Sequence, residues 1–155
     1  MTTGPGYDAV VMAHALAAVI GFGALGATGA YAAALGRDPG RAEDGPTRRF
    51  FRPGRNWASR AVLLVPVLGG ILLALGHGED VGRAFPWVGL GLWTVAVTIA
   101  SAVLWPAERE IQRLLADGSP PAPSRLRAAC RRCERAAAAT SLLFAVALVV
   151  MIAQP

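Results

Sequence analysis

Residues 62–74 read VLLVPVLGGILLA and residues 142–153 read LLFAVALVVMIA, and neither stretch holds a charged position. A helix over either one is apolar on every face, whereas a helix of a soluble bundle keeps polar residues along its outer side. Such helices belong where lipid, not water, surrounds them. Working outward, these stretches extend to apolar runs at 57–76 and 136–153, and two further runs cover 10–35 and 84–105. Each is close to the 20 or so helical residues that cross a hydrocarbon layer of roughly 30 Å. At 155 residues, 54% hydrophobic and 16% charged, the chain is too short to wrap a soluble shell around four such helices. The expected fold class is all-α: a polytopic membrane protein, one antiparallel four-transmembrane-helix bundle in a single domain, with loops at 36–56 and 106–135.

Charge sets the expected orientation. All 15 basic residues are arginine, and the formal net charge is +5. Arg37, Arg41, Arg48, Arg49, Arg52 and Arg55 fall in the first gap, and Arg109, Arg113, Arg125, Arg127, Arg131, Arg132 and Arg135 in the third. The middle gap has only Arg83 beside Glu79 and Asp80. The positive-inside bias puts both arginine-rich loops in the cytoplasm and both termini outside, N-out and C-out. Basic residues flanking membrane spans meet anionic headgroups, so the charge does not point to nucleic acid. The tail before the first span lacks Lys and Arg, and that span exceeds a signal-peptide core, so it reads as a retained helix.

Within this frame a few residues invite chemistry. Gly21, Gly23, Gly26 and Gly29, with Ala18, Ala27 and Ala30, predict close helix packing along the first span. Arg48, Arg49, Arg52 and Arg55, interleaved with Phe50, Phe51 and Trp57, predict a lipid-headgroup or partner surface. Pro66 removes a backbone donor and predicts an irregular second span, while Arg60 is expected to snorkel outward. Thr94, Thr98 and Ser101 share one helix face. They either bond to their own backbone or line a polar route.

Cys130 and Cys133, spaced Cys-x-x-Cys among Arg131, Arg132 and Arg135, read as small apolar residues or as a reactive thiol pair with a lowered pKa. His14 sits in apolar surroundings about one turn into the first span, where an imidazole needs a partner. A hydrogen bond across the bundle, a copper or zinc site, or a haem b iron shared with His77 would each supply one. No nucleotide fingerprint, catalytic triad or intramembrane carboxylate pair is present.

The layout, with His14 near the start of the first span, Trp57-x-x-Arg60 opening the second and Trp105 closing the third, resembles several groups of small bacterial four-span membrane proteins. Some of these are thought to bind haem or copper. The resemblance implies a bacterial cytoplasmic (inner) membrane location and an axial role for His14. From the residues themselves the expected function is a small accessory or stabilising subunit of a larger membrane complex, respiratory in setting, or of a homo-oligomer. A haem-b redox protein using His14 and His77, and a small-solute transporter or channel subunit, are the rival readings.

Overall fold

The computed structural model describes residues 4–38, 45–52, 54, 56–76, 81–116 and 122–153, and all regular structure among them is helical. Four helical runs are long and apolar enough to cross a membrane: Pro5–Arg37, Trp57–Leu75, Ala84–Ala116 and Pro123–Ala153. They match the four sequence runs, with the first, third and fourth extended by charged turns beyond the apolar part.

The first run is α1, Pro5–Arg37, with Pro5 in its first turn, where a missing N–H is harmless. A short helix α2, Pro46–Phe50, follows in the first loop. The second run is composite: α3, Trp57–Arg60, then a 3₁₀ turn over Ala61–Leu64, then α4, Val65–Leu75. Pro66 explains the change. It cannot donate to the Val62 carbonyl four residues back, so the preceding turn tightens to shorter-range bonds.

The third run comprises α5, Ala84–Ile99, a wider π turn over Ala100–Leu104, and α6, Trp105–Ala116. Pro106 likewise cannot donate to the Ala102 carbonyl four residues back, and here the turn before it is wide, not tight. The fourth run, α7, Pro123–Ala153, is one uninterrupted helix.

Helices α1 and α7 form the central pair. A Cβ on Gly29 would collide with the Ala137 methyl, and one on Gly21 would collide with the Val62 backbone. These two glycines are where small size is required. Gly23, expected on the same packing face, has open space around it. The Phe22 and Phe144 rings stack between α1 and α7 with centroids 4.6 Å apart.

Burial is concentrated toward the arginine-rich end, where Leu35, Phe51, Leu104, Ile111, Leu126, Cys130 and Cys133 are each at most 1% exposed. Helix α4 has no fully buried residue. Large apolar side chains such as Val67, Trp87, Leu142 and Ile152 face outward, as a lipid-facing surface requires.

Candidate functional site

Two polar arrangements sit at different depths. The shallower one, at the arginine-rich end, was not singled out by the sequence reading. Asn56 is its centre. As the N-cap of α3 it accepts the Ser59 backbone N–H at 3.3 Å, while the Ser59 hydroxyl donates to the Asn56 carbonyl at 2.8 Å. Its amide donates to Thr28 Oγ1 on α1 at 3.3 Å and also bonds the Glu108 carboxyl on α6. One side chain therefore joins three helices.

Glu108 is only 6% exposed. It lies on the charged extension of the third run, beyond the apolar 84–105 portion. Burial pushes its carboxyl above the usual carboxylate range, and the Asn56 hydrogen bond and the Arg60 and Arg109 charges pull it partway back. The Arg60 guanidinium lies over the Trp105 ring, 3.6 Å from the centroid. The Trp105 indole Nε1 is buried without a hydrogen-bond partner among the described residues. In front of this cluster is an open hollow of about 210 Å³ lined by Phe50, Arg52, Gly54, Asn56, Glu108 and Gln112.

Cys130 and Cys133 are buried, and both are free thiols. The Cys130 Cβ packs closely on Gly36. Burial raises the Cys130 thiol to about 11, helped by Glu134, and the Cys133 thiol to about 12, helped by Glu108 and Cys130. The expected lowering by neighbouring arginines is thus reversed. Arg131, Arg132 and Arg135 point outward from the helix face that carries the cysteines inward.

The deeper arrangement surrounds Pro66. The Trp93 indole N–H donates to the Val62 carbonyl at 2.8 Å, the acceptor that Pro66 cannot serve. His14 Nδ1 lies 3.0 Å from the Val65 carbonyl, which can only accept, so Nδ1 carries the proton. The imidazole also packs on Gly69, at 3.4 Å from a Cβ placed there.

The cofactor expectation is corrected here. Among the described residues no three His, Cys, Asp or Glu side chains gather to hold a metal ion, so the haem b site on His14 and His77 is withdrawn. His14 satisfies its polar group on the Val65 backbone carbonyl, with its ring packed against Gly69 of α4. His77 lies outside the described residues, as does Arg55.

Thr94, Thr98 and Ser101 are exposed on the outer flank of α5 and its π turn. Their hydroxyls donate to the carbonyls of Leu90 at 2.8 Å, Thr94 at 2.8 Å and Thr98 at 3.1 Å. Arg48, Arg49 and Arg52 are exposed, with Arg48 donating to the Leu115 carbonyl at 3.1 Å.

No family model, curated protein or solved structure matches this chain. Fold and site together define a small four-span, helical, multi-pass integral membrane protein. Among the described residues the haem-binding side of the resemblance finds no ligand set.

Proposed function

We propose that this protein is a small accessory or stabilising subunit of a larger assembly in the bacterial cytoplasmic membrane, with its arginine-rich end in the cytoplasm. The observation that carries the reading is the outer flank of α5. Gly91, Thr94, Thr98, Ser101 and Ala102 form an exposed band of small residues, and nothing lies within 4 Å of a Cβ placed on Gly91. Contacts between membrane helices favour such residues, because they let backbones approach and supply hydroxyls at the contact. The interior supports the same reading: Gly29, Gly21, Phe22 and Phe144 close it by direct packing.

A photo-crosslinker at Thr98, with one at the lipid-facing Val67 as control, tests this in native membranes. The expected result is a Thr98-dependent adduct with one membrane polypeptide that also copurifies in fixed ratio. Adducts only between copies of this chain, or solute transport by the purified protein alone, would overturn the reading.

A further inference from the structure

The hollow at the arginine-rich end has a definite hydrogen-bonding character. The Asn56 amide donates to Thr28 and bonds Glu108, and its carbonyl oxygen takes the Ser59 N–H. Gln112 Nε2 donates to the Gly54 carbonyl at 3.4 Å. Among the described residues the inner wall offers mainly acceptors, the Glu108 carboxylate, which Arg60 and Arg109 also face, the Gln112 Oε1 and the second lone pair of the Gly54 carbonyl, with one remaining Gln112 N–H beside them. At the rim the sign changes, because Arg52 lines the hollow and is exposed. Such a wall suits a ligand with a multiply donating cation at one end and an anion at the other.

The position narrows the choice. The second span begins at Trp57 and the apolar part of the third closes at Trp105, so the hollow lies at headgroup height. Its volume of about 210 Å³ is below the roughly 300–1,000 Å³ of drug-sized pockets, which restricts the ligand to a compact group.

We propose that this hollow binds a phosphoethanolamine group, with its primary ammonium inward on Glu108, Gln112 and the Gly54 carbonyl and its phosphate outward on Arg52. Phosphocholine fails on chemistry, since a quaternary ammonium has no N–H to give. Phosphoglycerol is the poorer fit because it offers neutral hydroxyls where ethanolamine offers a charged N–H donor to the carboxylate. The group can arrive as a lipid headgroup or as a free metabolite.

Titration calorimetry on the detergent-purified full chain tests the proposal. The probes are short-chain phosphatidylethanolamine, its phosphatidylcholine and phosphatidylglycerol counterparts, and free phosphoethanolamine. The expected result is saturable binding of the ethanolamine lipid, tighter than either counterpart by about tenfold or more, as loss of a charge-assisted hydrogen bond implies. Glu108→Gln should weaken it by a similar factor.

Because Glu108 also holds helices together, Arg52→Ala at an exposed position provides an independent check. It should weaken ethanolamine-lipid binding severalfold while leaving the unfolding temperature of the ligand-free protein unchanged. Free phosphoethanolamine binding as well as the lipid would assign the site to a soluble ligand, and weaker binding of the free group would assign it to lipid. Either result keeps the shared chemistry. Equal affinity for the choline and ethanolamine lipids, full affinity in Arg52→Ala, or no saturable binding would overturn it.

Discussion

The two ends of this bundle are held together by different means. At the arginine-rich end, Leu35, Phe51, Leu104, Ile111 and Leu126 are sealed from solvent, and Asn56 joins α1, α3 and α6 around them. Toward the arginine-poor end, α4 buries no residue fully and side chains such as Met12, Leu75 and Ile152 face outward. Between the two ends a pair of polar pins joins the helices, His14 on the Val65 carbonyl and Trp93 on the Val62 carbonyl. The contrast follows from the solvent. In lipid an apolar side chain gains little by moving from acyl chains to a protein interior, so close packing and hydrogen bonds must hold the helices. Where the chain emerges from lipid, ordinary hydrophobic burial becomes available and a compact core forms.

Substitutions can break or sharpen this comparison, and thermal unfolding in detergent reads them. The largest effect is expected at the central pair: Gly29→Leu drives a side chain into Ala137 and should destabilise by about 3 kcal/mol, as overpacking does. Gly23→Leu, in open space on the same helix, should be close to neutral. Next comes Asn56→Ala, which removes a helix cap and the link to Thr28 and Glu108 and should lose about 2 kcal/mol.

Glu108→Gln tests the same end through pH. The folded carboxyl holds its proton more tightly than the unfolded one, so its contribution is greatest in acid and is lost as pH rises through the folded value. The unfolding temperature of the natural chain should therefore fall relative to the Gln variant as pH rises. A pH-independent difference would refute the assignment. Within the lipid-embedded part, Trp93→Phe should cost about 1 kcal/mol, the net worth of one hydrogen bond. The smallest effect belongs to Thr94→Val, Thr98→Val and Ser101→Val combined. Stability should change by under about 0.5 kcal/mol per site, the range of surface changes, while copurification with a partner is lost.

The architecture was legible because uninterrupted apolar length is a local property. Residues 62–74 and 142–153 can be read without knowing what they touch. The effect of Pro66 was also legible as irregularity, though not as a tightened turn before it. The polar cluster was not, since Thr28, Asn56 and Glu108 come from three separate segments and meet only on folding. Asn56 did offer a signal, a cap residue directly before an apolar run. The cysteines show that sequence neighbours on a helix point in different directions. Arg131 and Arg132 flank Cys130 and Cys133 along the chain, yet the thiols face inward and the guanidiniums outward. Of the partners open to His14, the hydrogen bond across the bundle is the one formed, to a backbone carbonyl.

The π turn at Ala100–Leu104 has a consequence for everything downstream of it. It inserts a spare residue into an otherwise regular spiral, and each residue of an α-helix advances about 100° around the axis. Trim that one residue and α6 would be re-dialled by about that angle, swinging Ile111 and Glu108 off the inner face while Thr94 and Thr98, upstream, stayed where they are. A single widened turn thus sets the phase between the outward flank that offers hydroxyls and the inward carboxylate behind it.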